Sequence, residues 1–277
     1  MGKAKVIGVI SIKGGVGKTS CVTNLGAAIA NDFGKKVLII DANFSAPNLG
    51  LHFGLVNPDM TLHDVLNGKI KPDEAIYAIS DNFHLMPASP LSKKTKPLAL
   101  KKKIKSLRSH YDMILIDSSP TLNDEILATM MASDELIVVS SPDYPTLYCT
   151  LHAVKAAKQK RTPIVGLILN RVKRKSFELQ ISDIEEAANA PVIAVINDDV
   201  NMLEALSLTT PVTQHNPYSS SSVEYKKLAA TLIGGYYEDP RLLEKVKTAF
   251  RRETPIEEVN RFILRDKING GPGLPKQ

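Results

Sequence analysis

A ten-residue stretch near the amino terminus, SIKGGVGKTS at positions 11–20, has glycines and lysines in a spacing that suits phosphate binding. An apolar segment comes before it and a helix-period segment comes after it. In that arrangement, backbone N–H groups and a helix N-terminus can surround phosphate oxygens. Gly14, Gly15 and Gly17 allow close approach of the backbone and angles that other residues rarely adopt. The stretch therefore predicts a phosphate-binding loop between a strand and a helix.

Two lysines stand in this loop, one on each side of the glycines. Lys18 comes directly before Thr19. In this order the lysine is expected to reach the β and γ phosphates of a nucleotide, and the threonine hydroxyl to ligate Mg²⁺. Lys13 follows Ile12, which occupies the place of the first glycine in the standard motif. The standard loop gives no role to Lys13, so its purpose needs another explanation.

The elements around the loop alternate between short apolar runs and helix-period segments, the pattern of repeated βα units over a parallel sheet. Most of the runs are rich in Val, Ile and Leu without polar alternation, which is typical of strands covered on both faces. The predicted strands are Lys5 to Ser11, Val37 to Asp41, His84 to Pro87, Met113 to Asp117, Leu136 to Ser140, Ile164 to Asn170 and Val192 to Ile196. The predicted helices are Thr19 to Asn31, a short one begun by the capping box Thr61 to Asp64, Leu98 to Tyr111, Leu147 to Arg161 and Val223 to Tyr237.

Composition limits the class of protein. The chain has 277 residues, of which 43% are apolar and 23% charged, enough for a large α/β core and unlike disordered or fibrous chains. The apolar runs are strand-sized and no secretory leader is evident, so we expect a soluble, cytoplasmic protein. Cys21 and Cys149 lie far apart without metal-ligand spacing, which argues against a disulfide framework and a zinc site.

The segment KGGVGKT, residues 13–19, resembles the deviant Walker A loop of the MinD/ParA family of P-loop ATPases. The resemblance implies a P-loop NTPase fold, with a mainly parallel sheet of seven or eight strands flanked by helices on both faces, and it implies ATP and Mg²⁺ as ligands. In that family the extra lysine, here Lys13, crosses the interface of an ATP-sandwich homodimer and contacts the partner's nucleotide. One lysine would then serve its own site, and the other would make the site depend on two chains.

Three further segments support the resemblance, which covers residues 1 to about 237. VLIIDANFSAPNLGLHFGL (37–55) resembles the switch I segment of the family, and YDMILIDSSP (111–120) is similar to its Walker B strand and switch II. By this similarity Asp117 holds a water on Mg²⁺. GLILNRV (166–172) resembles the strand end that recognises the base, where Asn170 would bond to adenine. Asn170 alone is equally compatible with a turn.

The residues implied to bind the nucleotide are Lys13, Gly14, Gly15, Val16, Gly17, Lys18, Thr19, Ser20, Asn170 and Arg171. The residues implied around Mg²⁺ are Thr19, Asp41 and Asp117, with Asp41 as a holder of a metal-bound water. A purely structural buried carboxylate is the alternative for Asp41. The residues expected to act in hydrolysis are Lys13, Lys18, Asp41 and Asn43.

Asn43 departs from the family pattern, because the segment after the second strand usually reads Asp-x-Asp and here reads Asp41-Ala-Asn43. The second aspartate is taken to orient or deprotonate the attacking water, whereas an asparagine amide can hydrogen-bond a water and cannot accept its proton at neutral pH. Two interpretations stay open. Hydrolysis is slow but real, as in GTPases that position water with a glutamine amide, or the ATP-bound dimer barely turns over.

The chain beyond Tyr237 changes character, so we expect an ATPase domain over residues 1–237 and an extension over residues 238–277. The extension contains two amphipathic stretches, RLLEKVKTAFRR (241–252) and IEEVNRFILRDKI (256–268), and a Gly/Pro-rich end. MinD-like members of the family bind membranes through a C-terminal amphipathic helix. Residues 241–264 are therefore a candidate for peripheral contact with the inner face of the cell membrane. Packing on the core, docking on a partner protein and disorder are the alternatives.

Basic residues crowd between positions 93 and 108, in a region without a single acid from Asp81 to Asp112. The cluster consists of Lys93, Lys94, Lys96, Lys101, Lys102, Lys103, Lys105 and Arg108. ParA-like members bind DNA without sequence preference through basic surfaces, so this cluster is a candidate for DNA contact, and residues 173–175 are a second basic group that could extend it. A solvated helix face is the simpler interpretation, because exposed aromatic residues for base stacking are missing.

Three functions from different classes remain. The first is an ATPase switch that dimerises on ATP and positions a cellular component at membrane or nucleoid, as in cell division, with an unknown activator or cargo. The second is a binding module gated by ATP with little hydrolysis, docking a protein through its tail. The third, a metabolic P-loop enzyme, lacks the interfacial cysteine pair of an iron–sulfur carrier and a recognisable substrate pocket. We expect the first.

Overall fold

Runs of Val, Ile and Leu form an eight-stranded sheet whose central strands are buried on both faces. The computed structural model describes residues 3–89, 95–241 and 254–271. Its strands are β1 Lys5–Ile10, β2 Val37–Ala42, β3 Tyr77–Ser80, β4 Phe83–Met86, β5 Met113–Ser118, β6 Glu135–Ser140, β7 Ile164–Val172 and β8 Val192–Asn197. They lie in the order β3-β4-β2-β5-β1-β6-β7-β8, and all neighbours are parallel except β3 and β4. The predicted fold class is confirmed.

Helices cover both faces of this sheet. They are α1 Lys18–Ala27, α2 Leu62–Leu66, α3 Leu100–Lys103, α4 Asp124–Ala132, α5 Tyr144–Gln159, α6 Ile181–Ala188, α7 Val200–Ser207, α8 Val212–His215, α9 Ser220–Leu232 and α10 Ile256–Ile268. Ile39 and Leu115 of the sheet face the apolar layer formed with α1 and α9. Leu38 and Ile116 face the opposite layer, formed with α2, α3 and α4. The period-two alternation of a strand thus supplies two cores.

The parallel register decides which polar residues meet. Asp41 of β2 lies directly beside Asp117 of β5, and Val9 of β1 is the partner of Asp117 on the other side. Because parallel strands end at the same edge, the loops after β1, β2 and β5 open together there. The carboxyl edge of the sheet is therefore the place where the candidate site forms.

The predicted helix from Leu98 to Tyr111 is wrong as a continuous element. Instead, the short helix α3 lies between 3₁₀ turns at Pro97–Ala99 and Lys105–Ser109. Lysines at i and i+4, such as Lys101 and Lys105, repel each other, and no acid in the segment offsets them. The predicted apolar side is still buried, since Leu100, Ile104, Leu107 and Tyr111 all face the core. Lys93 and Lys94 lie outside the described residues.

Several elements were not predicted. The structure adds β3, an edge strand joined to β4 by a tight turn, and the helices α4, α6, α7 and α8. Helix α1 continues as a π-helical turn at Ala28–Asp32, close to the predicted end at Asn31. The capping box at Thr61 and Asp64 is confirmed. Strand β7 runs to Val172, so Asn170 lies within a strand and the interpretation of it as a turn residue is wrong.

The C-terminal helix α10 packs against the outer edge of the sheet. Asn260 Nδ2 donates to the carbonyl oxygen of Val192 in β8 at 2.8 Å, and Arg261 donates to that of Ile193 at 3.1 Å. The Arg261 guanidinium also pairs with Glu224 of α9 at 2.5 Å. Side chains of α10 thus bind polar groups that the edge strand would otherwise leave open. The first amphipathic stretch, beyond Arg241, lies outside the described residues, and the domain boundary near Glu238 stays a prediction.

The Arg261 contacts lead to a test of this packing. Arg261 is only 6% exposed, and its removal leaves the Glu224 carboxylate partly buried without its cation. We expect Arg261→Ala to lower the free energy of unfolding by about 3 kcal/mol. Lys267→Ala, an exposed position on the same helix, is the matched control and should change it by less than about 0.5 kcal/mol. Urea denaturation measures both, and equal values for the two variants would contradict the packing.

Candidate nucleotide-binding site

The phosphate-binding loop joins β1 to α1, and its glycines have the backbone conformations that the motif requires. Gly15 and Gly17 have φ of 76° and 91°, a left-handed region that disfavours side chains. Gly17 is also the N-cap of α1. A side chain at Gly17 would overlap the Asn170 amide, which lies against it. Asn170 Nδ2 donates to the carbonyl oxygen of Val16 at 2.7 Å. Asn170 therefore holds the loop itself, and its contact with adenine stays a prediction.

The Thr19 hydroxyl lies where the resemblance places a magnesium ligand. It donates to Asp117 Oδ2 at 2.7 Å and lies 3.1 Å from Asn48 Oδ1. Asp117 is fully buried, and its other carboxylate oxygen, Oδ1, has no hydrogen-bond partner among the described residues. A hydroxyl, a carboxylate and an amide oxygen are the hard oxygen ligands that Mg²⁺ accepts. Asn48 lies in the switch I segment, but the sequence analysis did not predict it as a site residue.

The Asp41 carboxylate is bound to the segment that follows it. Oδ2 accepts from the backbone N–H groups of Asn48 and Leu49, each at 3.0 Å, and Oδ1 accepts from that of Asn43 at 3.1 Å. Asp41 thus closes residues 43–49 into a loop over the end of β2. These contacts fit the alternative of a purely structural buried carboxylate at Asp41. The role of Asp41 as a holder of a metal-bound water stays a prediction.

The negative charges of Asp41 and Asp117 at this edge of the sheet exceed the positive charge of the neighbouring Lys18. Burial raises the pKa of Asp41, and the neighbouring Asp117 raises it further. Burial also raises the pKa of Asp117, against the Thr19 hydrogen bond and the charge of Lys18. Two buried carboxylates near one lysine favour a divalent cation, which would stabilise both ionised forms. Together with the unpartnered Asp117 oxygen, this fits the implied Mg²⁺. Among the described residues, no three His, Cys, Asp or Glu side chains form a metal-binding group by themselves.

The Asn43 amide has a fixed orientation. Its Nδ2 donates to the carbonyl oxygen of Ala46 at 2.5 Å, while its Oδ1 is buried and has no partner in the described chain. An amide nitrogen only donates, so the unpartnered Oδ1 is the atom of this side chain that can accept a hydrogen bond. An amide oxygen can orient a water molecule and cannot take its proton.

The two lysines of the loop occupy different environments. Lys18 is 7% exposed, and burial lowers the pKa of its ammonium, against the raising effect of Asp117. Lys13 points to α5, where its Nζ lies 3.2 Å from Asp143 Oδ1 and 2.5 Å from Thr146 Oγ1. Partial burial alone would raise the pKa of Asp143, but hydrogen bonds from Thr146 and Lys13 hold it below its usual range. Asp143 and Thr146 were missed, although Asp before Tyr-Pro at a helix start is a readable N-cap signal.

A second missed contact joins the switch I segment to α4. Ser45 donates its hydroxyl to Glu125 Oε1, and its backbone N–H donates to Glu125 Oε2 at 3.4 Å. Glu125 is 8% exposed and lies in the first turn of α4, where a carboxylate also favours the helix dipole. Nothing in the spacing of Ser45 and Glu125 signals this pair, because 80 residues separate them.

The other predicted site residues fall on the loop and on the strand end. Gly14 is exposed, Ser20 lies in the first turn of α1, and Arg171 is exposed on β7 with φ of 58°. Burial raises the pKa of Cys21 to about 12, and both Cys21 and Cys149 are free. Within the described residues, no helix has the length and apolar character needed to cross a membrane.

Comparison with known proteins agrees with this geometry. Residues 4–164 match a family model described as an AAA domain, AAA_31. An uncharacterized ATP-binding protein of Methanocaldococcus jannaschii is 35% identical over 89% of this chain and 94% of its own length. The septum site-determining protein MinD of Thermotoga maritima is 32% identical over 83% of this chain and 88% of its own.

A solved structure shows the same fold. The septum site-determining protein MinD of Pyrococcus horikoshii, complexed with Mg-ADP, superposes with a TM-score of 0.78 at 32% identity. The match covers 83% of this chain and 96% of that one. Sequence, fold and the paired lysines of the loop all lead to one conclusion, that the chain belongs to the MinD/ParA family of P-loop ATPases.

Proposed function

We propose that this chain is a molecular switch that binds ATP with Mg²⁺, dimerises on doing so, and positions or partitions a cellular component at membrane or nucleoid. Hydrolysis, slow because of Asn43, returns the switch to its free state. The proposal depends on membership of the MinD/ParA family and on the site at the carboxyl edge of the sheet. The names of the MinD relatives support a role in spatial positioning.

The placement of Lys13 is the observation that carries the proposal. Lys18 is buried in the loop beside Asp117, where it can serve the phosphates of its own chain. Lys13 instead reaches α5, and its side chain is 37% exposed at the rim of the site. A cation at the rim can reach phosphate oxygens across an interface and add charge neutralisation only when two chains and ATP are present.

The described site residues suggest how hydrolysis would proceed. Thr19, and Asp117 through a water, would hold Mg²⁺, and the ion would supply charge neutralisation of the phosphates. Lys18 adds a second positive charge, and the free Asn43 oxygen orients the attacking water without deprotonating it. Asp41 and Glu125 hold the switch I segment in place. A phosphate-dependent shift of that segment would couple the nucleotide to the dimer surface.

The attachment to a membrane is proposed through the tail. Helix α10 turns Asn260 and Arg261 toward the core and leaves Ile256, Val259 and Phe262 exposed by 42%, 41% and 57%. This apolar stripe at i, i+3 and i+6 faces away from the sheet edge and can lie in a bilayer interface. Two such stripes in a dimer bind with higher avidity than one.

The glycine conformations give a first prediction for nucleotide binding. Gly17→Ala introduces a side chain at a left-handed position and against Asn170, so we expect the affinity for ATP to fall at least about 100-fold, or about 2.7 kcal/mol. Gly34→Ala also introduces a side chain at a left-handed position, but it lies just before β2, at the opposite edge of the sheet, and should change the affinity less than about three-fold. Titration calorimetry with ATP and Mg²⁺ measures both. Equal effects of the two substitutions would place the nucleotide elsewhere.

The substitution Asn43→Asp tests the explanation for slow turnover. A carboxylate at this position can accept the proton of the water, so we expect phosphate release to rise by about ten- to 100-fold, while ATP affinity stays the same. The Asn43→Ala variant removes the oxygen altogether and should lower the rate below that of the natural chain. An unchanged rate in Asn43→Asp would show that position 43 does not limit hydrolysis. An undetectable rate in the natural chain, with ATP bound, would favour the ATP-gated binding module.

Co-sedimentation with anionic liposomes tests the membrane role. We expect the full chain to sediment in ATP and not in ADP, and the double variant Val259→Ser/Phe262→Ser to stay in solution. Phe177→Ser, which removes a 78% exposed aromatic residue away from the tail, is the matched control and should sediment normally. If no form sediments, the membrane role is excluded, and DNA binding through the basic residues 93–108, weakened by salt, becomes the test of the nucleoid role.

A further inference from the structure

Lys13 is held by its own chain both at its backbone and at the tip of its side chain. At the backbone, its N–H donates to Ser11 Oγ at 3.2 Å. At the tip, Nζ contacts Asp143 at 3.2 Å and Thr146 at 2.5 Å. A lysine with four rotatable bonds is ordered here by an ion pair and a hydrogen bond across 130 residues of sequence.

The receiving group on α5 is rigid independently of Lys13. Asp143 is the N-cap of α5, where Oδ1 accepts from the Thr146 backbone N–H at 2.9 Å. Asp143 Oδ2 accepts from the Thr146 hydroxyl at 2.6 Å. Thr146 is fully buried, so this cap cannot move without disturbing the helix start. Lys13 therefore rests on a prebuilt anionic acceptor.

We propose that Asp143 and Thr146 form a latch that keeps Lys13 on its own chain and so sets the threshold for ATP-dependent dimerisation. The proposal depends on the proposed function, in which Lys13 must reach the nucleotide of a second chain. Asp143 acts through Lys13, as a positioning residue. The structure shows Lys13 engaged within one chain, which is the state that the latch describes.

The energetics of the latch make dimerisation conditional. Asp143 and Thr146 already take two of the three N–H donors of Lys13 Nζ. In the proposal, Lys13 must leave them to direct its donors at a phosphate of another chain, so the latch opens before the interface forms. The apparent affinity of the dimer then falls by the fraction of chains with an open latch. An ion pair of this exposure lowers the fraction of chains with an open latch about three-fold. Because a dimer has two latches, the apparent affinity of the dimer falls about ten-fold. ATP, as the stronger anion, outcompetes Asp143 when bound by a partner chain, whereas ADP lacks the γ-phosphate that would draw Lys13 across.

The contact between Lys13 and Asp143 also has the opposite interpretation, and an experiment can distinguish the two. If Asp143 aims Lys13 toward the partner, its removal weakens the dimer. If Asp143 is a latch, its removal strengthens it. The sign of the change in dimer affinity therefore decides between a guide and a latch.

The test uses Asp143→Asn, because asparagine caps a helix as well as aspartate and removes only the charge. We expect the dissociation constant of the dimer, measured by sedimentation velocity with a non-hydrolysed ATP analogue, to fall about ten-fold. Thr146→Val, close in shape and lacking the hydroxyl, should act in the same direction. Asp199→Asn, at the equivalent cap of α7 where Asp199 accepts from Asn201, is the matched control and should leave the constant unchanged.

A second measurement examines the latch without a dimer. In the nucleotide-free chain, the rate at which an amine-reactive ester acylates Lys13, followed by peptide mass spectrometry, should rise at least about two-fold in Asp143→Asn and stay the same in Asp199→Asn. An unchanged rate in Asp143→Asn overturns the latch, whether or not ATP produces a dimer. If the rate rises and the natural chain and Asp143→Asn both stay monomeric in ATP, the latch on Lys13 holds, and both the proposed dimerising function and the threshold role fall. A weaker dimer in Asp143→Asn overturns the threshold role alone.

Discussion

The adjacency of Asp41 and Asp117 at the ends of two neighbouring strands is the constraint on which the site depends. The parallel register of β2 and β5 aligns these two carboxylates, and the core around them leaves almost no water to solvate them. Each is stabilised by donors from a different loop: Asp117 by Thr19 of the phosphate-binding loop, and Asp41 by the switch I backbone. The two loops therefore meet at one buried charge cluster.

The two lysines of the loop lie in different places, Lys18 in the interior of the site and Lys13 at its rim. Lys18 lies in the low-dielectric interior, where its charge offsets that of the carboxylates and burial opposes the charge itself. Lys13 lies at the rim and has an alternative anionic partner on α5. An interior lysine can serve only the ligand of its own loop, whereas a rim lysine can exchange partners. The proposed dimerising switch uses this exchange of partners.

Helix α10 is attached to the ATPase core by polar contacts and by Leu264, while other apolar side chains of the helix point outward. Asn260 and Arg261 bind the edge strand β8, which blunts an edge that would otherwise invite pairing with other chains. Most amphipathic helices of globular proteins bury the apolar side. In α10 the apolar side chains are divided, since Leu264 packs against the core whereas Val259 and Phe262 stay exposed. The helix thus protects the sheet and presents an apolar surface at the same time.

Local signals were enough to predict the parallel α/β fold, the phosphate-binding loop and most of the strands, because apolar runs and the Gly-Lys-Thr order extend over a few residues. They also predicted the buried side of residues 100–111, although not the break of that helix, which depends on repulsion between lysines. The folded structure was needed to show that Asp41 holds the switch I backbone, that Asn170 supports the loop, and that Asp143 and Glu125 belong to the site. These contacts join residues up to 154 positions apart, and side-chain geometry at that separation is fixed by packing rather than by any local pattern.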